Sequence, residues 1–332
     1  MVYILGVDGG NSKTYAVIVD EDGNRVGHGI SSNGNHQGIG VARFLENIQI
    51  AIEQALYEAG LTADQVSFAQ FGLAGADREK DFKVLRQALR TLPFENWDVV
   101  PDTLEGLRAG SNTNTGVVLV CGAGTNAAGK NKYGEAVQTG GFGYQYGDGA
   151  GGAFMAQEAF RSAMRSWEKR EDQTLLTQMI PEYLGFHNME EMYLYYLDNL
   201  NEKVPLKVTL ILHHAADLGD KVAIRILKEV GWELGIAANS VIKRLGGFDR
   251  ETIPIVLTGS VLQKGKSTHL LNALEETIKV VTPNHELIKL EMEPVYGSIL
   301  LAMDKLNIET NKDILNKFIS TSIALILYKN KN

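Results

Sequence analysis

Leu5-Gly6-Val7-Asp8-Gly9-Gly10-Asn11-Ser12-Lys13-Thr14-Tyr15-Ala16-Val17-Ile18-Val19-Asp20 decides how this chain is read. Two β-forming runs, Val2 to Leu5 and Tyr15 to Val19, flank a turn made of Gly9, Gly10, Asn11 and Ser12, the composition of a tight hairpin. Such a turn leaves backbone N–H groups pointing outward, and a concave set of them takes an anion, most often a phosphate. Asp8 would repel a bare phosphate but can hold a hydrated Mg²⁺ that accompanies one. Ser12, Lys13 and Thr14 add donors. The segment alone also fits an ordinary glycine-rich hairpin whose Asp8 only completes the turn.

The 332 residues exceed one typical core, so two domains are expected. Apolar residues make up 44% and charged ones 22%, as in a globular protein. A net charge of −8 argues against nucleic acid or an anionic membrane as partner and favours a small molecule. The single cysteine, Cys121, excludes an internal disulfide and any cysteine-built cluster within one chain, which suits a cytoplasmic location. The apolar run Ile323 to Tyr328 is too short to span a bilayer.

Strands are expected over Val26 to Ile30, Val66 to Leu73 and Trp97 to Val100. Helices are expected over Val41 to Ala59, ended by Gly60, over Arg78 to Leu92, and over Thr103 to Ala109. Three antiparallel strands followed by alternating helices and strands give an α/β fold with a mixed sheet. The pattern restarts at Gly116: strand to Cys121, small-residue turn Gly122-Ala123-Gly124-Thr125-Asn126, extended Ala127 to Gly129, then strand Ala136 to Thr139. This echo of residues 4 to 29 predicts an internal duplication carrying a second anion-binding turn. Beyond the glycine-dense stretch Gly140 to Gly152, the sequence predicts helices from Gly151 to Trp167 and from Lys221 to Leu245, the latter stopped by Gly246-Gly247. It then predicts strands at Pro254 to Leu257 and Ile288 to Met292, and a last helix from Pro294 to Lys305. The tail beyond Asn311 has no evident place.

Six elements together resemble the sugar kinase, Hsp70 and actin ATPase superfamily, and more narrowly its BadF/BadG/BcrA/BcrD-type branch, which includes N-acetylglucosamine kinases. They are Val7 to Thr14, the Val99-Val100-Pro101-Asp102 strand end, Gly122 to Asn126, Gly140-Gly141-Phe142-Gly143 through Gly147-Asp148, Ile255 to Val261, and Glu293 to Ser298. The resemblance implies two ribonuclease H-like (actin-like ATPase) domains facing a cleft. Residues 1–110, with helix 294–310 packing back, would form one, and 111–293 the other. It implies an ATP-dependent kinase of an amino sugar, N-acetylglucosamine first. Glucosamine, N-acetylmuramic acid or a hexose are the alternatives, and an ATPase activating a partner protein is an alternative of another class. A homodimer is implied by the relatives.

By the same resemblance Asp102 is the base that takes the proton of the sugar hydroxyl. Asp8 (through water to Mg²⁺), Gly9, Gly10, Asn11, Ser12, Lys13, Thr125, Gly259, Ser260 and Lys264 bind ATP. Asn35, His36, Asn126, Gly141, Phe142, Gly143 and Asp148 bind the sugar. Read without the resemblance, Asp102-Thr103-Leu104-Glu105 is a capping box, Asp148 caps the helix after it, His36 is a loop histidine, and Lys13 is solvated. The sequence departs from the family pattern at Asn11, at Pro101 and Thr103 around the aspartate, and at Gly149, where the sugar kinases often carry Glu. A Walker A loop is excluded because no glycine precedes Lys13. A dinucleotide fingerprint at Gly122 is excluded because a strand, not a helix, follows.

Overall fold

In the computed structural model, which describes residues 1–246, 248 and 252–329 and places side chains through residue 322, the opening hairpin is the centre of a five-stranded sheet. Strands β1 (Tyr3–Gly9), β2 (Thr14–Asp20), β3 (Arg25–Ser31), β4 (Val66–Leu73) and β5 (Trp97–Pro101) lie in the order β3-β2-β1-β4-β5. Pairing is antiparallel from β1 to β2 and β2 to β3, and parallel from β1 to β4 and β4 to β5. Between the strands run α1 (His36–Ile39), α2 (Val41–Ala59), α3 (Glu79–Leu89) and α4 (Asp102–Gly110).

The predicted bounds of α2 and β4 agree with the structure, and Gly60 ends α2 in the left-handed conformation at φ 65°. Helix α2 lies close on β3 because Gly27 and Gly29 carry no side chain: a Cβ at Gly29 would strike the Ala51 carbonyl. That face buries Phe44, Ile48, Phe71, Leu73 and Leu85. Helices α12 (Val295–Lys305) and α13 (Lys312–Lys329) bring Tyr296, Ile299 and Phe318 into the core with Ile4, Tyr15 and Val17. The tail that the sequence left without a place is therefore a helix, held by the stacking of Phe318 on Tyr296 at 4.6 Å.

A second five-stranded sheet contains β6 (Gly116–Cys121), β7 (Thr125–Lys130), β8 (Ala136–Thr139), β9 (Ile253–Thr258) and β10 (His285–Lys289), ordered β10-β9-β6-β7-β8. Both sheets follow one plan, in which the first strand of the half sits between its second and fourth. The repeat read from the sequence is thus a repeat of topology. β10 corrects the expected strand at Ile288 to Met292: it lies three residues earlier, over His285 to Lys289, where no position is fully buried. The remaining helices are α5 (Gly152–Trp167), α6 (Leu176–Leu184), α7 (Met189–Asp198), α8 (Val208–Asp217), α9 (Lys221–Leu245), α10 (Ser260–Lys264) and α11 (Thr268–Lys279). Gly246 stops α9 at φ 58°; Gly247, expected to share that role, lies outside the described residues. No helix of the described residues is long and apolar enough to cross a membrane.

The chain divides into two compact units, one of residues 1–118, 129–135 and the segment from Ile288 onward, the other of residues 119–128 and 136–287.

Candidate active site

The first unit gathers carboxylates at one sheet edge because its parallel strands end together. Gly9 is level with Leu73 and Leu73 with Pro101, so Asp8, the loop after β4 with Asp77, and Asp102 share the carboxyl end of the strands. That is where open α/β sheets bind ligands. In the turn after Asp8, the Gly10 N–H donates to the Lys13 carbonyl (2.9 Å) and the Gly34 N–H to the Gly10 carbonyl (2.8 Å). Among the described residues the N–H groups of Asn11, Ser12 and Lys13 have no acceptor, which leaves an anion cradle open. Lys13 is not merely solvated. Its ammonium lies 2.7 Å from a Glu293 carboxylate oxygen and 4.8 Å from the Tyr15 ring centroid.

Burial, then the charges of Asp102 and Glu293, hold the Asp8 carboxyl up at about 7 against the pull of Lys13. Asp102 is pushed up to about 6, by burial first and by Asp77 second. The capping-box reading of Asp102 does not survive. Pro101 is the N-cap, Asp102 is the first residue of α4, and no side chain caps the helix. Glu105 points inward instead of back: its carboxylate accepts from the Ser298 hydroxyl at 2.8 Å, and its other oxygen is buried without a partner. Sequence reasoning missed Asp77 and Glu105 as members of this cluster. The burial of Glu105, with the rest of α4 through Ala109, carries no mark in the sequence, where Glu105 only completes a capping-box pattern.

Glu105 lies well above the usual carboxylate range, from burial first and then the Asp8 charge. Such a group supports folding below its unfolded pKa and loses that contribution as pH rises through its folded value. Glu105→Gln, which keeps an acceptor for Ser298, is expected to reduce the fall of folding stability on the alkaline side; urea titrations at a series of pH values check it, and an unchanged pH slope would count against a protonated Glu105.

Asn35 and His36, both expected at the sugar, lie at the start of α1. Asn35 donates to Asn11 Oδ1 (2.8 Å) and accepts the Gln37 N–H (2.9 Å) as cap of α1. His36 is buried, edge-on to Phe44 at 6.2 Å, with Nε2 3.8 Å from the Asp81 carboxylate. Burial lowers its pKa despite Asp81 and Asp77, so the contact is not a full ion pair. It is a core histidine, not an exposed loop one. Asp81 is itself held low by the Arg78 guanidinium.

In the second unit the Gly122 N–H donates to the Gly124 carbonyl (2.9 Å), while Gly152 and Ala153 at the start of α5 donate to the carbonyls of Gly122 and Ala123. The Thr125 hydroxyl donates to the Val120 carbonyl at 3.1 Å. Gly259, N-cap of α10, sits against this turn at φ 84°, ψ 154°; Ser260 and Lys264 in α10 are exposed. The loop after β8 is closed by Asp148, whose carboxylate accepts the N–H groups of Gly141 (3.1 Å) and Gly143 (2.6 Å). Gly140, Gly141, Gly143 and Gly147 all have positive φ, conformations that favour glycine. Asp148 therefore clamps its own loop, and the cap of α5 is Gly151. Phe142 is held half-exposed in that loop, 6.5 Å from Tyr146. Asn126, facing Gly141, has its Oδ1 buried without a partner.

Compared with known proteins, residues 5–302 match the BadF/BadG/BcrA/BcrD ATPase family. The chain belongs to this family. It is 26% identical over 307 residues to an N-acetylmuramic acid/N-acetylglucosamine kinase of Clostridium acetobutylicum, covering 91% of this chain and 98% of that one. It is 28% identical over 315 residues to an N-acetyl-D-glucosamine kinase of Dictyostelium discoideum, covering 90% and 97%. Its fold is similar to the crystal structure of a Chromobacterium violaceum protein provisionally named N-acetylglucosamine kinase, with a TM-score of 0.69 and 20% identity over 91% of this chain and 99% of that one.

In this BadF/BadG/BcrA/BcrD ATPase family member the residues fit a nucleotide with hydrated Mg²⁺. No three His, Cys, Asp or Glu side chains converge as direct metal ligands among the described residues. Asp8, whose carboxyl is held up by burial first and then by the neighbouring negative charges, suits a Mg²⁺ that keeps its waters and takes its other ligands from phosphates. Cys121 is fully buried in β6 with its thiol pushed up to about 12 by burial, the setting of an inert, structural thiol.

Proposed function

We propose that this protein is an ATP-dependent kinase of an amino sugar that phosphorylates N-acetylglucosamine to N-acetylglucosamine 6-phosphate, with Asp102 as the general base. The observation that carries the reading is the placement of Asp102. It follows the end of a parallel strand level with Asp8 and the open N–H turn, in surroundings that bring a carboxyl to about 6. The named kinases that match along nearly their whole length support an amino sugar as acceptor.

Phosphoryl transfer needs fixed phosphates and a positioned acceptor more than covalent chemistry from the protein. Mg²⁺-ATP would supply the phosphoryl group and neutralise its charge. The N–H groups of Asn11, Ser12 and Lys13 would take phosphate oxygens, and Asp8 would hold the hydrated ion. The small-residue turns at Gly122 and Gly259 receive the rest of the nucleotide, while Asn126 and the loop clamped by Asp148 receive the sugar. Asp102 accepts the hydroxyl proton as the oxygen attacks. A base near 6 is mostly ionised at neutral pH yet still basic enough to help.

A coupled ADP-release assay over N-acetylglucosamine, glucosamine, N-acetylmuramic acid and glucose tests this. N-acetylglucosamine should stimulate turnover at least about 100-fold over the sugar-free rate, within the range that a positioned base and aligned acceptor provide. Hydrolysis indifferent to every sugar would sink the reading.

A further inference from the structure

Within the second unit, Thr125, Asn126, Asp148, Gly149, Glu233 and Ser240 are among the walls of a cavity of about 180 Å³. It shares Gly147, Asp148, Gly149 and Glu233 with an adjoining hollow of about 640 Å³. Among the described residues no lysine or arginine lines the smaller cavity; behind its wall the Arg244 guanidinium donates to the Thr139 hydroxyl at 2.7 Å. In the larger one Arg161 is paired with Glu158 at 3.3 Å. Glu233 comes from α9 and lies over Gly149 so closely that a methyl group there would come within 2.7 Å of the Glu233 carboxyl carbon. Absence of a side chain at 149 is what gives Glu233 its place.

The polar groups of this wall are not equivalent. Asp148 is spent on the Gly141 and Gly143 N–H groups. Glu233 has no hydrogen bond or ion pair among the described residues, and the buried Asn126 Oδ1 has none either. Both are acceptors: the Asn126 oxygen is buried, where a missing donor is costly, and Glu233 is partly buried beside it. A ligand that satisfies both acceptors brings hydroxyl, amide or ammonium donors, and a carboxylate on it would meet the Glu233 charge with no cation among the described lining residues of the inner wall.

We infer that Glu233 is a specificity-determining residue, which accepts hydrogen bonds from a neutral or cationic amino sugar and bars one bearing a carboxylate. This rests on the amino-sugar kinase reading. It predicts discrimination against N-acetylmuramic acid, one of the two sugars for which a relative is named, because that sugar carries a lactyl carboxylate. Partial burial pushes the Glu233 carboxyl above its ordinary range.

The test is kcat/KM for N-acetylglucosamine and N-acetylmuramic acid in the wild type and in Glu233→Gln, a variant of equal size. The wild type should prefer N-acetylglucosamine by about 100-fold or more, and Glu233→Gln should raise the N-acetylmuramic acid to N-acetylglucosamine ratio by at least about tenfold, chiefly through KM. Raising salt from about 0.05 to about 0.5 M should lift the same ratio in the wild type alone, because screening weakens exclusion by charge; this arm does not depend on how the variant folds. An active wild type that prefers N-acetylmuramic acid, or whose ratio moves less than about twofold in both arms, overturns the role of Glu233. A wild type inert toward every sugar instead overturns the kinase reading on which it rests.

Discussion

Asp102→Asn is expected to lower kcat by about 10³-fold or more while leaving ATP affinity within about twofold, and to make the free protein more stable near pH 7. The catalytic loss follows from removing the proton acceptor while keeping size and shape. Stability should rise because Asp102 ionises in a place that disfavours charge, with its carboxyl at about 6 against an ordinary 3.8. A raised acid contributes stability below its unfolded pKa and loses it as pH climbs through the folded value, here the window from about 4 to about 6. At neutral pH the ionised Asp102 therefore costs at most about 3 kcal/mol. Partial solvent exposure, and the favourable charge at the first turn of α4 that the amide gives up, trim the gain to about 1–2 kcal/mol. Calorimetry of the ligand-free proteins should show a melting temperature a few degrees higher for the variant. Near-normal transfer would eliminate Asp102 as the base, and a lower melting temperature would refute the cost assigned to its charge.

The same value sets the pH profile. A base must be ionised to act, so kcat/KM should be level above about 6 and fall tenfold per pH unit below it. Asp8 stands near 7 in the free protein, and Mg²⁺ draws that transition downward, so the profile is measured at saturating Mg²⁺. A limb that stays in place in Asp102→Asn would assign it to another group.

Most of the fold was legible because periodicity and stop signals agree. The bounds of α2, β4, β6, β8 and α9 read from the sequence match the structure, each set by an apolar repeat that glycine or a turn interrupts. β10 was displaced because its residues are only partly buried, so the apolar Ile288 to Met292 gave a stronger but misleading signal. The site was legible in its glycines and in Asp8 and Asp102, whose positions at strand ends follow from strand lengths. What could not be read were side-chain directions. Glu105 looks like the fourth residue of a capping box, yet its carboxyl turns toward Ser298 because α4 is enclosed along that stretch. Glu233 sits beside the buried positions of α9 and acquires meaning only when Gly149, far away in sequence, proves to lie beneath it.

Gly259→Ala is the second substitution expected to have a large effect, because two separate penalties meet there. The backbone at φ 84°, ψ 154° lies in a region open essentially to glycine alone, which costs an alanine about 1–3 kcal/mol. A Cβ would in addition sit 2.5 Å from the carbonyl carbon and oxygen of Cys121, and backbone atoms cannot swing aside as a side-chain tip can. β9 and β6 are neighbours in the sheet, and the Thr258 hydroxyl donates to the Leu119 carbonyl at 3.2 Å, so relief must come from moving α10 away from the Gly122 turn. If that turn and α10 together receive the nucleotide, KM for ATP should rise at least about tenfold with a smaller change in kcat, the pattern of lost uniform binding. Gly60→Ala separates the penalties: Gly60 is left-handed at φ 65° with nothing within 4 Å of a Cβ. It should lower stability by about 1 kcal/mol and leave the ATP KM unchanged. Equal effects of the two variants on KM would show that Gly259 acts through general stability and not through the nucleotide site.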